Sequence, residues 1–196
     1  MNHKAWIAKA AKQPMVLESV ELGPLGAEDV EVAVAHCGVC HSDLSVLNND
    51  WGISQYPAIL SHEVTGRVTA VGPHAKRLKV GQRVGVGWYA GSCMHCHQCL
   101  SGRHHLCPHV QATIVGHRGG FATHIRAHWA WAIPLPETLH CAAAAPASWM
   151  ASTSRLKAGI CRSLSKRSSP ACGQACGSTV AISTVMRPAP PAARCR

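Results

Sequence analysis

The chain has 196 residues, 47% of them hydrophobic, and a formal net charge of +10. That length suits one domain, or one with part of a second, and the apolar fraction is enough for a core. No stretch of about 18 uncharged apolar residues occurs, so no membrane span is indicated.

The N-terminus, "MNHKAWIAKAAKQPM", carries Lys4, Lys9 and Lys12 and no long apolar block, so it does not read as a signal peptide. Cytoplasm is the expected compartment, and eleven cysteines there point to metal ligands rather than disulfides. "EVAVAH" (Glu31–His36) predicts a strand with Val30, Val32 and Val34 on one face. "HSDLSVLNN" (His41–Asn49) predicts a short helix with Cys40 near its start. "VTGRVTAVG" (Val64–Gly72) is β-branched and stops at Gly72-Pro73. "VGQRVGVGW" (Val80–Trp88) reads as a strand whose glycines at 81, 85 and 87 suit a sharp bend or a close backbone approach. "GGFATHIRAH" (Gly119–His128) is a further candidate strand. Short strands punctuated by Gly/Pro turns at "LGPLGAED", "GPHAK" and "LPETL" predict a mainly β barrel or sandwich.

"TLHCAAAAPASWM" (138–150) suggests a helix entry, and beyond about residue 147 the character changes. The charge is lopsided: residues 1–137 hold 11 Lys/Arg and all 9 Asp/Glu, whereas 138–196 hold 8 Lys/Arg and no acid. The stretch 148–196 shows neither helical nor strand periodicity, and "GQACG" lacks the GxGxxG spacing of a dinucleotide loop. It reads either as a disordered basic tail or as out-of-frame translation of a GC-rich region. The basic charge is not interleaved with aromatics and no zinc-finger helix follows the cysteines, so nucleic acid is not the expected partner.

The densest chemistry is "CMHCHQCLSGRHHLC": Cys93, Cys96, Cys99 and Cys107 within the lobe 91–109. Four thiolates this close can surround a tetrahedral zinc ion without distant help, and the ion orders the loop. An iron–sulfur cluster is the rival, but the last gap is seven residues rather than the three of a ferredoxin run. His95, His97, His104 and His105 read as bystanders in a solvated loop. Cys40 with His62 and Glu63 is a second set of ligand types. Cys37 reads as a small buried residue.

The ordered set "CGVCHSDL", "SHEVTGRVTAVG", "VGQRVGVGW", the four-cysteine loop, "GGFATH" and "IPLPETL" resembles the N-terminal half of zinc-dependent medium-chain alcohol dehydrogenases. The likeness spans roughly residues 3–146 and is strongest to cinnamyl-alcohol-dehydrogenase-like aldehyde reductases. It implies a GroES-like catalytic domain over 1–147, with a Rossmann domain expected to be absent from this chain. The implied reaction is reversible hydride transfer between a small-molecule alcohol or aldehyde and NADP or NAD, in a possible homo-oligomer. By matched position, Cys40 and His62 would ligate a catalytic zinc, with Glu63 beside them as neighbour or alternate ligand. Ser42 would hydrogen-bond the substrate oxygen and begin a proton relay, His41 would lie near the cofactor, and Asp43 would orient His62. Trp51 and Trp88 would line the substrate pocket. Cys93, Cys96, Cys99 and Cys107 would hold a structural zinc.

Residue by residue, plainer roles compete: Ser42 as a helix cap, Asp43 as a surface carboxylate, Trp51 and Trp88 as core aromatics. The chain departs from the family's pattern at three places. Ser61 stands where a glycine usually precedes the ligand histidine, which costs strain if that backbone has positive φ. Gln82 replaces a common aspartate, a surface change. The family's third zinc ligand, a cysteine, follows an "AAP" turn by three residues; here that position is Trp149, whose indole nitrogen only donates. The expectation is therefore a chain truncated or shifted in frame near residue 147, inactive alone, with a non-enzymatic structural-zinc fragment as the alternative.

Overall fold

A computed structural model describes residues 3–139 of the chain. Trp149, the stretch 148–196 and nearly all of the helix entry expected at 138–150 lie outside the described residues. The elements in order are β1 (His3–Ile7), β2 (Val16–Val20), β3 (Asp29–Cys37), α1 (His41–Asn48), β4 (Val64–Val71), β5 (Arg83–Val86), β6 (Tyr89–Gly91), α2 (His97–Leu100), a single 3-10 turn at His104–Leu106, β7 (Gln111–Ala112), β8 (His124–His128) and β9 (Ala132–Pro134).

The centre is a five-stranded antiparallel sheet in the order β8-β3-β4-β5-β9, accompanied by the ribbons β1-β2 and β6-β7. The expected GroES-like barrel thus takes the form of a curled, open sheet whose edges are β8 and β9. Strand β3 carries the register: Val32 faces Val68 on one side and Ile125 on the other. Register shifts at Glu31/Val32 and Val34/His36 bend it, as bulges do by inserting an unpaired residue. Val30 and Val32 are fully buried as the alternation predicts, and they join Val64, Val68, Val84, Val86 and Ile125 in the main apolar cluster. Gly66, buried mid-strand in β4, is required by packing: a Cβ there would overlap the Ala33 carbonyl and sit 2.7 Å from Val32 Cγ1.

Two strands are shorter than their sequence patterns. The Val80–Trp88 pattern yields β5 over Arg83–Val86 only. Gly81 is not a bend within it but a turn glycine at φ 85, open to solvent. Likewise β8 starts at His124, because Gly119–Thr123 hydrogen-bond to β1 and to the segment Ile59–Ser61 instead. The ribbon β1-β2 escaped the sequence reading although its burial alternates, with Ala5 and Ile7 inward and Lys4 and Trp6 outward. Trp6 N–H donates to Phe121 O at 2.8 Å and Thr123 N–H to Lys4 O at 2.8 Å, so β1 is tied to the segment entering β8.

Two smaller clusters lie beside the sheet. One holds Ala8, Val46, Ala58, Leu60 and Ile114, with Trp88 packed on it; the other holds Ala5, Ile7 and Ile59. Through Val46 the first anchors α1, and through Leu60 it anchors the extended segment leading to His62. The fold therefore fixes the two segments that carry Cys40 and His62 against a common apolar floor.

Candidate metal centres

Helix α1 starts at the residue the sequence singled out. Cys40 is its N-cap, with extended backbone (φ −113, ψ 157). Asp43, three residues on, accepts the Cys40 backbone N–H through Oδ2 at 2.9 Å, the reciprocal half of a capping box. The cap is therefore Cys40 with Asp43, not Ser42. Asn49 ends the helix in the left-handed conformation, φ 59.

Asp43 is buried, which removes its reading as a surface carboxylate. Its second oxygen, Oδ1, accepts the Ser61 N–H at 2.8 Å and lies 3.4 Å from His62 Nδ1. The His62 approach is a close contact without hydrogen-bond alignment: among the described residues, the buried Nδ1 has no partner within bonding geometry. One carboxylate thus joins the segment of Cys40 to the segment of His62. Ser42 sits 3.6 Å from Cys40, its Oγ accepting from Sγ. His41 opens the helix from an exposed position.

The donor atoms of Cys40, His62 and Glu63 come together within 4.8 Å of one another. Burial pushes the Glu63 carboxyl above its usual range; the neighbouring His62 works against that and the Asp43 charge adds to it. Glu63 has room only because residue 38 is glycine: a Cβ on Gly38 would overlap Glu63 Oε2. A glycine between two cysteines was visible in "CGVC", but its reason, the carboxylate 25 residues away, was not. Cys37 is half-buried, and burial raises its thiol pKa.

The orphaned, buried Nδ1 faces an acid, and a thiol and carboxylate stand within ligand range. This donor set suits zinc, with Nε2 the nitrogen left to bind it. The aromatic wall is also in place. Trp88 meets the His62 ring edge-on at a centroid distance of 4.7 Å, and Trp51 meets Trp88 at 6.1 Å. Trp51 is 46% exposed, so it is not a core aromatic. Val39, Leu44 and Ile53, on the same segments, are also exposed.

The sulfurs of Cys93, Cys96, Cys99 and Cys107 likewise converge within 4.8 Å. Cys93 Sγ lies 3.8 Å from Cys99 Sγ and 3.5 Å from Cys107 Sγ. Backbone N–H groups are aimed at these sulfurs: Cys96 N at Cys93 (3.4 Å), Cys99 N at Cys96 (3.5 Å) and His109 N at Cys107 (3.4 Å). Positive-φ Met94 makes the first of these turns possible. Hydrogen bonds from the backbone of His95 and Cys96 lower the Cys93 thiol to about 6. Burial pushes Cys99 up to about 11, with the Cys96 and Cys107 thiols adding to it and Ser92 opposing. A cage primed at one sulfur and protonated at another suits a divalent ion that displaces the remaining protons.

Of the four histidines read as bystanders, His104 is not a ligand but is held in place. Its Nδ1 is 3.1 Å from Ser92 Oγ and its ring meets Trp131 at 5.3 Å. Ser92, which the sequence did not single out, also accepts from the Cys99 thiol at 3.5 Å. Gln82 serves its turn, its Oε1 accepting the Lys79 N–H at 3.1 Å.

Residues 26–137 match the family described as the alcohol dehydrogenase GroES-like domain. This chain belongs to that family. It is 48% identical over 143 residues to the aldehyde reductase AdhA of Synechocystis, covering 73% of this chain and 43% of that protein. It is 41% identical over 128 residues to a probable cinnamyl alcohol dehydrogenase of rice, covering 62% of this chain and 36% of the relative. Among solved structures, cinnamyl alcohol dehydrogenase SbCAD4 of Sorghum bicolor superposes with a TM-score of 0.70 at 33% identity, over 74% of this chain and 44% of that one. The protein CAD of Helicobacter pylori, complexed with NADP(H), gives a TM-score of 0.70 at 25% identity, over 74% of this chain and 45% of that one. The chain thus spans less than half the length of these relatives.

Proposed function

We propose that residues 1–147 form the oxygen-activating part of a zinc-dependent alcohol dehydrogenase or aldehyde reductase. The reaction is reversible hydride transfer between a primary alcohol and its aldehyde, with NADP(H) or NAD(H) as partner. The observation that supports this most is the convergence of Cys40, His62 and Glu63 donors beside a Trp88–Trp51 wall, 3.4–3.6 Å from the polar groups of Asp43 and Ser42. The NADP form follows the Helicobacter pylori relative, and cytoplasm is the compartment that keeps these thiols reduced.

Cys40 and His62 would hold the reactive zinc, with Glu63 as third donor among the described residues. Zinc bound there supplies Lewis acidity, which eases proton loss from an alcohol and hydride gain by an aldehyde. The remaining work belongs to side chains. Ser42, adjacent to Cys40, is placed to accept the alcohol proton and pass it on without itself becoming charged. The Asp43 carboxylate, 3.4 Å from His62 Nδ1, favours the proton on that nitrogen and so leaves Nε2 free for the ion. Trp88 and Trp51 exclude water and favour a flat or apolar organic group next to the reacting carbon. His41, exposed at the helix start, would border the dinucleotide. Cys93, Cys96, Cys99 and Cys107 would hold the second zinc, which orders the lobe.

Cobalt substitution tests the reading. An aldehyde or a small imine base added to the cobalt-loaded chain should alter a visible band that Cys40→Ser removes. A spectrum that depends only on the four-cysteine set, and ignores added ligand, would overturn the catalytic assignment. It would favour the second reading, a structural-zinc module without enzymatic role, which the completeness of the four-sulfur cage supports.

A further inference from the structure

Ser61 occupies the left-handed region at φ 71 and is fully buried. A side chain there carries a backbone cost that glycine does not, at the residue directly before His62. Its hydroxyl answers that cost with a bond: Oγ donates to the Gly38 carbonyl at 3.0 Å. Gly38 lies two residues before Cys40, and its own N–H donates to Glu63 O at 2.8 Å. The Ser61 N–H completes the set by donating to Asp43 Oδ1 at 2.8 Å. Its carbonyl accepts from Gly120 N at 2.7 Å.

We propose that Ser61 is a positioning residue for the Cys40–His62–Glu63 centre, its hydroxyl stitching the segment before Cys40 to the segment carrying His62 and Glu63. The inference rests on the proposed catalytic centre. The β3–β4 ladder pairs Cys37 with Val64 at the near end of both segments, and Asp43 ties them further on through Cys40 and Ser61. The Ser61–Gly38 and Gly38–Glu63 bonds brace the stretch between these two ties. The donors are then pre-spaced before the ion arrives, so less ordering opposes binding.

The test compares wild type, Ser61→Ala and Ser61→Gly in the full 196-residue chain, titrated with cobalt and followed by its thiolate absorption and by thermal melting. Alanine keeps the strained backbone and loses the bond, so both melting temperature and affinity of the Cys40 centre should fall. Glycine relieves the strain while losing the bond, so its melting temperature should stay within a few degrees of wild type. Its affinity at the Cys40 centre should nevertheless drop about five- to tenfold, with the four-cysteine band unchanged. A merely structural serine would move the two readouts together. Ser61→Gly binding cobalt at the Cys40 centre as tightly as wild type would overturn the role. A wild-type chain that takes cobalt only at the four cysteines would overturn the centre itself, and the positioning role with it.

Discussion

Asp43 is the residue on which the two ligand-bearing segments turn. Its oxygens accept separate backbone N–H groups, Cys40 through Oδ2 and Ser61 through Oδ1, inside the protein. Both donors need an acceptor, so an amide cannot replace the carboxylate: its NH2 would confront one of them. Asp43→Asn should therefore be about as damaging as Asp43→Ala, each lowering stability by about 3 kcal/mol and emptying the Cys40 centre of metal. Chemical denaturation with metal analysis checks this; an asparagine variant close to wild type in both would contradict it. The family resemblance implies that Asp43 orients His62, and the two lie 3.4 Å apart. The two backbone acceptances were only partly legible. The capping-box spacing from Cys40 to Asp43 is local and readable, whereas the bond to Ser61 crosses 18 residues and exists only once the loops are folded.

Among the elements, β3 and β4 were the most readable, because β-branched residues alternate there with inward Val30, Val32, Val64 and Val68. The strands that escaped detection are short or ribbon-like. In β6 and β7, three and two residues, periodicity has no length in which to show itself. Strand β9 is three residues long and ends at Pro134, a residue that only an edge strand or a strand end tolerates. The four-cysteine lobe was legible for another reason: its chemistry lies within 15 consecutive residues, from Cys93 to Cys107. The sheet centre gives the sharpest test at this scale. A methyl group added at Gly66 meets the Ala33 carbonyl, a backbone atom that can yield only by separating β3 from β4. Gly66→Ala should destabilise the chain by about 1–3 kcal/mol, whereas Gly81→Ala meets nothing within 4 Å and pays only for its φ of 85. Urea midpoints of the two variants decide it; Gly81→Ala being the worse of the pair would contradict the packing account.

At the scale of the molecule, the attachment of β1 to β8 sets how the chain responds to acid. The His3 and His124 rings meet at 4.5 Å, edge to face. Burial holds His124 below the ordinary imidazole pKa and the His3 ring adds to that, with Glu31 opposing; burial lowers His117 as well. An imidazole lowered on folding takes up its proton more readily in the unfolded chain. Its contribution is full above about pH 6.5 and is lost as pH falls below that value. Glu31 acts in a lower window. Burial raises it, but Arg126 and Thr69 together bring it below the usual carboxylate value, so its stabilisation fades only as pH drops through about 4.5 and beyond. Between about pH 7 and about pH 5.5, His124→Gln should therefore lose less stability than wild type. Equal slopes in melting temperature against pH would contradict this.

On the proposed reading, the four sulfurs would cage one ion, and Cys40, His62 and Glu63 would hold a second more loosely. Zinc counting after dialysis against a mild chelator tests it most directly. One zinc per chain should be retained, lost in Cys107→Ser and kept in Cys40→Ser; a second should return on adding zinc, only while Cys40 and His62 are intact. Loss of the retained ion in Cys40→Ser, or no retained zinc in the wild-type chain, would contradict the account.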